Sequence, residues 1–179
     1  MQTDQSQEQQ LKVRGINKMA FAWLLFSVVI VALDLWTKQI ATDSLALYRP
    51  VEWTSWLNMT LAHNYGAAFS FLSDAGGWQR WLFTGLALVV TVVLVIWLLR
   101  LPANEKLIAA ALSLVIGGAV GNLIDRIING YVVDFIDVFY QDHHWPAFNL
   151  ADSAITCGVV LLLVDGIFFA SAAKPEKSN

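Results

Sequence analysis

Four long apolar stretches constrain this chain more than any other feature. Met19 to Leu33 carries no charge and is rich in Phe, Leu, Val and Ile; Asp34 closes it, and Leu35 and Trp36 extend its apolar character. Trp81 to Leu99 is nineteen residues without a charge, Leu107 to Ile124 is eighteen, and Ser153 to Ala173 is twenty-one, interrupted only by Asp165. A helix needs roughly 20 predominantly apolar residues to cross a bilayer, within a range of about 17–25. Hydrocarbon offers no partner to a bare backbone, so such stretches cross as helices. The sequence therefore predicts an α-helical integral membrane protein, a single membrane-embedded unit over 1–179, with spans at 19–36, 81–99, 107–124 and 153–173.

Composition excludes the alternatives. Hydrophobic residues make up 57% and charged residues 14%, against about 45–50% and about 25% in soluble domains. Disordered chains are poor in apolar residues. Cys157 is the only cysteine, so no disulfide forms within the chain. A net charge of -3 supplies no basic footprint for nucleic acid. The first span is not read as a cleaved leader, because its polar lead is mixed in charge and no small-x-small site follows it.

Orientation follows from Lys and Arg, which favour the cytoplasmic side of short loops and tails. Lys12, Arg14, Lys18, Arg100, Lys106, Lys174 and Lys177 lie in the tails and the turn between spans two and three. They are seven of the chain's eleven. Both termini are expected in the cytoplasm, with the two long connections, 37–80 and 125–152, facing outward. Trp36, Trp53, Trp56, Trp78, Trp81 and Trp145 fall in or beside those connections, as in an aromatic belt. Within the first connection, Leu57 to Leu61 alternate apolar and polar as a half-buried strand does. Asn64-Tyr65-Gly66 supplies turn chemistry. Ala67, Phe69 and Phe71 then share one face of a second short strand. A small β-sheet with a loop or short helix on the outer side is expected.

The carboxylates carry the chemistry. A charge within a bilayer costs of order 2.5–3.5 kcal/mol on insertion scales and usually has a use. Antiparallel spans bring Asp34, Asp125 and Asp152 to one depth near the outer interface. Asp134 joins them from Val132-Val133-Asp134-Phe135-Ile136, an apolar run too short to span that is expected to dip into the interface. Lys38, Asn64, Asn122, Arg126 and Asn149 cluster in the same layer. Structural readings compete: Asp152 as a cap of span four, Asp125 in a satisfied network with Asn122 and Arg126, and Asp34 with Lys38 as an i,i+4 ion pair. Asp137 and Asp142 are read as solvated, His63, His143 and His144 as surface or interface residues, and Asp165 as a packing or snorkelling residue. Two carboxylates sharing a site cannot both ionise easily. The ionised one activates water and the protonated one donates to a carbonyl, which is amide hydrolysis with no nucleophilic side chain, metal or cofactor. Cys157, inside span four, is a poor nucleophile, and spacing alone does not select the acid pair.

Several motifs in one order then carry a resemblance. Asp34 with Lys38, Asn64-Tyr65-Gly66-Ala67-Ala68-Phe69-Ser70, Gly117-Gly118-Ala119-Val120-Gly121-Asn122-Leu123-Ile124-Asp125-Arg126, Gly130-Tyr131-Val132-Val133-Asp134-Phe135 and Phe148-Asn149-Leu150-Ala151-Asp152 closely resemble lipoprotein signal peptidase, the signal peptidase II family. The resemblance implies a bacterial plasma-membrane aspartic peptidase that cuts prolipoproteins just before a diacylglyceryl-modified cysteine. It implies Asp134 and Asp152 as the catalytic dyad. Asp34, Lys38, Asn64, Gly66, Asn122, Asp125, Arg126, Asn149 and Ala151 would bind substrate or support the site. Membrane lipid and globomycin-type cyclic peptides are the other implied partners. Two further readings are open: a small transporter or ion-binding protein using Asp34, Asp125 and Asp152 as a relay, which needs acids spread across the membrane, and a non-catalytic membrane scaffold whose acids are neutralised by Lys38 and Arg126.

Overall fold

The computed structural model describes residues 17–66 and 77–168. Four helices are long and apolar enough to cross a membrane: α1 (Met19–Ser44), α2 (Trp78–Arg100), α3 (Lys106–Ile128) and α4 (Leu150–Phe168). α1, α2 and α3 each contain a predicted span, and α4 covers 153–168 of the fourth, whose remainder, 169–173, lies outside the described residues. α1 runs on past Trp36 because side chains sustain its polar last turns. Lys38 pairs with Asp34, Gln39 with Asp43, and the Thr42 hydroxyl donates to the Lys38 carbonyl.

α3 is the central helix, packed on α1, α2 and α4. Close approach is built from small residues, as expected where lipid removes any hydrophobic drive between helices. A Cβ on Gly117 would strike the Ser27 carbonyl and the Ile30 side chain of α1, and one on Gly118 the Ala151 carbonyl of α4. Gly158 of α4 reciprocates against the Ala111 carbonyl. At the end of the bundle where α1 begins, Ala20, Leu98, Leu101, Ala109, Leu112 and Ile116 form a buried apolar cluster.

The opposite end carries a four-stranded antiparallel sheet, order β1-β2-β3-β4: β1 Val51–Thr54, β2 Leu57–Asn64, β3 Val132–Tyr140 and β4 His143–His144. β2 contains the predicted strand, yet its polar positions Asn58 and Thr60 are buried along with Leu61; Asn58 is satisfied there by donating to the Asp137 carboxylate. Between Met59 and Ala62 the register shifts by one residue. This bulge turns the end of β2 so that Ala62 faces Asp134, and it leaves the Leu61 carbonyl to accept the Tyr48 N–H. The expected second strand over Ala67, Phe69 and Phe71 lies outside the described residues. No short helix accompanies the sheet among the described residues.

Val132–Ile136 is the start of a nine-residue strand whose backbone is paired by β2 and by Phe148. One expectation is corrected here: Asp137 is not solvated. It is buried, accepting from Asn58 and paired with His144 at 2.9 Å. The error arises because these partners come from distant segments. Asp142 is exposed, as expected.

Candidate active site

The site forms where α1 and α3 end, α4 begins and β3 passes between them. Its base is an ionic knot. Lys38 is 3% exposed, and its ammonium has three acceptors for its three protons: Asp34 Oδ2 at 2.7 Å, Asp125 Oδ2 at 2.9 Å and Asn122 Oδ1 at 3.0 Å. Asp34 extends the knot, because its Oδ1 accepts the backbone N–H of Ala151 at 2.9 Å in the first turn of α4. That satisfies one of the orphan donors of a helix start and sets a carboxylate at the positive end of the dipole. Gly121 makes the approach possible, since a Cβ there would stand 2.5 Å from Asp34 Oδ2. Asp125 turns toward β3 and accepts the Val133 N–H at 3.1 Å. The favoured ion pair of Asp34 with Lys38 is present, while the expected Asp125 network runs to Lys38 and Val133 and not to Arg126. Adjacent helical residues point about 100° apart, so Asp125 and Arg126 serve different surroundings.

A layer of amides stands on this base. Asn149, fully buried, donates to Asp134 Oδ1 at 2.7 Å and to the Val133 carbonyl at 3.2 Å. Its Oδ1 accepts the Asp152 N–H at 2.9 Å. Asn149 is therefore the N-cap of α4, and Asp152, read as a possible cap, is the third residue of that helix. The spacing Asn149-x-x-Asp152 was the available signal. Freed from capping, Asp152 Oδ1 accepts Asn122 Nδ2 at 2.8 Å. Asn64 completes the layer by donating to Asp134 Oδ2 at 3.0 Å while its Oδ1 accepts the Gly66 N–H in an Asx turn. The Gly66 carbonyl accepts from Arg126 at 3.4 Å.

Asp134 and Asp152 line one cavity of about 1000 Å³, with Asn64, Asn122 and Arg126 on its polar wall. Burial first, and the nearby Asp152 second, push the Asp134 carboxyl up to about 7, against the opposing pull of the Asn64 and Asn149 amides. His63, held neutral-leaning by burial, stacks on Tyr131 with ring centroids 3.8 Å apart at the rim.

Every site residue expected from sequence joins this one assembly. The apolar walls were missed: Trp145 to Phe148 from the segment before α4, and Ile155, Thr156 and Cys157 one turn beyond Asp152. Helical spacing from Asp152 was the signal for the latter group. Cys157, inside span four as expected, is exposed and lines this cavity. The candidate acids gather at one end of the bundle; a relay across it, as the transporter reading requires, has no support.

The chain is similar to known proteins in sequence and in fold. The profile of the family signal peptidase (SPase) II matches residues 26–168. The lipoprotein signal peptidase of Acinetobacter baylyi is 58% identical over 146 residues, covering 82% of each chain. That of Acinetobacter baumannii is 57% identical over 157 residues, 88% of this chain and 89% of its own. A bacterial membrane enzyme solved by the in meso method superposes with a TM-score of 0.79 at 29% identity, covering 93% of this chain and 99% of that one. A bacterial membrane protein with this sequence, fold and residue assembly belongs to the signal peptidase II family.

Proposed function

We propose that this membrane peptidase removes signal peptides from prolipoproteins by aspartic chemistry, with Asp134 and Asp152 as the dyad. One observation carries the reading: Asn149 holds both acids, one by its carboxylate and one by its backbone, at the wall of a single cavity. Asp134 is surrounded by neutral amides, whereas Asp152 lies nearer Arg126 and, through Asn122, Lys38. The shared proton accordingly resides on Asp134.

Ionised Asp152 takes a proton from a water whose oxygen attacks the scissile carbonyl carbon. Asp134 gives its proton to the carbonyl oxygen, forming a tetrahedral diol. In the second half, Asp152 returns its proton to the leaving nitrogen, the C–N bond breaks, and Asp134 recovers a proton from a diol hydroxyl. Amide and water are consumed; an acid and an amine leave. The knot around Lys38 fixes α1, α3 and β3 against α4, so that the two acids need not reorganise during the reaction.

The substrate assigned here is an extended segment ending at a diacylglyceryl-modified cysteine, entering from the outer leaflet. The lysine and arginine distribution supports a reading with both termini in the cytoplasm and the sheet end outside. Globomycin-type cyclic peptides would occupy the same cavity. The chain acts as one membrane-embedded unit.

Asp134→Asn and Asp152→Asn are each expected to give folded protein that binds a lipidated precursor peptide without cutting it. The double variant loses no more than either single one, because the acids act together. Turnover by either variant within about tenfold of the parent would remove the dyad. Turnover also falls as pH rises through about 7, where Asp134 loses its proton. Stability has the same sign. The folded carboxyl keeps a proton that the unfolded chain releases above about 4, so rising pH between those values weakens the fold. Asp134→Asn should flatten that slope in a pH series of thermal unfolding; an unchanged slope would contradict the protonated assignment.

A further inference from the structure

We propose that Arg80, on α2 and outside the cavity, is a positioning residue for the α3 wall of the site, an inference that rests on the site as read above. Its guanidinium donates to the last carbonyls of α3: Nε to Arg126 O at 2.7 Å and Nη2 to Ile127 O at 2.7 Å. These carbonyls belong to the final turn of a helix, where no intrahelical donor reaches and a cation meets the negative end of the dipole. A planar fork suits two neighbouring acceptors in a way that a point-like ammonium does not. The Trp81 ring, 5.0 Å from the guanidinium carbon, covers one face of the fork.

The same side chain packs on the turn that follows. Gly130 has φ +85 and leads from α3 into β3, and a Cβ there would stand 3.3 Å from Arg80 Nη1. One arginine thus touches the end of the helix carrying Asn122, Asp125 and Arg126, and also the turn four residues before Asp134.

Arg126 is the residue this clamp governs most directly. It lines the cavity, and among the described residues its side-chain hydrogen bonds are long, both 3.4 Å, to Asn122 O and Gly66 O, with the Phe83 ring of α2 5.8 Å from its guanidinium carbon. Its main chain sets where that guanidinium starts, and the Arg126 carbonyl is what Arg80 holds.

The test uses the purified full chain in detergent, turning over a lipidated precursor peptide, with thermal unfolding recorded for every variant. Arg80→Ala is expected to lose about tenfold or more, in whichever of kcat or KM Arg126→Ala changes. Arg80→Lys, which keeps the charge, is expected to stay within about threefold of Arg80→Ala. Arg80→Ala/Arg126→Ala should be no worse than Arg126→Ala within about twofold, since one acts through the other. Arg100→Ala, at the far end of α2, should match the parent. Where Arg80→Ala is not recovered folded, Arg80→Gln, with one neutral donor, replaces it under the same expectations. Parental turnover without Arg80, full rescue by Lys, losses that multiply in the double variant, or an unaltered Arg126→Ala would each overturn the proposal. Failure of the dyad is separately visible, as turnover by Asp134→Asn or Asp152→Asn in the same assay.

Discussion

α2 and α3 are both twenty-three residues long, follow one another in the chain and are each apolar enough to span a membrane. Yet 11% of the apolar stretch of α2 is buried, against 67% of that of α3. Hydrophobicity does not separate them; side-chain size does. α2 presents Trp81, Leu86, Val89, Val93 and Trp97 outward. α3 carries Ala109, Ala110, Ala111, Ser113, Gly117, Gly118, Ala119 and Gly121, which let α1 and α4 approach its backbone. In lipid, the helix that admits the closest neighbours becomes the centre. The site follows from that. Asn122 and Asp125 continue the small-residue faces of α3 upward, so whatever packs against those faces meets these polar groups.

The strongest way to break the contrast is to add volume to each helix. Gly118→Leu drives a side chain into the Ala151 carbonyl and Ile155. No rotamer change relieves a clash with backbone, so the loss should reach about 4 kcal/mol or more and abolish folded yield in detergent. Gly85→Leu on α2 meets nothing within 4 Å. It should be neutral or slightly stabilising, within about 1 kcal/mol. Equal effects at the two positions, measured by size exclusion and thermal unfolding, would refute the size argument.

A second contrast sets buried charge against exposed charge. Lys38→Met leaves Asp34 and Asp125 facing one another without their cation. Breaking a buried pair in this way costs about 3–5 kcal/mol. Lys106→Met, at the exposed start of α3, should stay within about 0.5 kcal/mol. If Lys38→Met unfolds at the parental temperature, the knot does not hold the end of the bundle together.

These contrasts also explain what could be read in advance. Hydropathy located four spans, because the bilayer imposes one length on all of them. The depth of Asp34, Asp125 and Asp152 followed from antiparallel helices alone. Central placement of α3 was latent in Gly117, Gly118 and Gly121, although hydropathy ranks these as unremarkable. Partners distant in sequence were not legible. Asp137 reads as solvated until Asn58, directly opposite it on β2, is found to donate to it. Asp125 reads as the partner of Arg126 until helix geometry sends it to Lys38. Arg80 reads as one more cation until its helix is docked beside the end of α3. Local signals specify elements, whereas hydrogen bonds across elements depend on packing that the chain does not write in any one segment.

The smallest effect sharpens the argument most. Ser27 of α1 is buried and its hydroxyl donates to the Ser113 carbonyl of α3 at 2.9 Å. This hydrogen bond crosses the very face where small residues are held to be decisive. The Ser113 carbonyl lies mid-helix, so it keeps its intrahelical partner when the hydroxyl goes, and no group is left unsatisfied. Interhelical hydrogen bonds in membranes average about 0.6 kcal/mol. Ser27→Ala should therefore cost about that much, and Ser113→Ala, whose hydroxyl donates to the Ala109 carbonyl of its own helix, less still. Ser27→Leu keeps no hydroxyl either, yet it should cost several times more, because α1 must then retreat from α3. A loss above about 2 kcal/mol for Ser27→Ala in thermal unfolding would show that the hydroxyl, and not the room it leaves, holds α1 against the central helix.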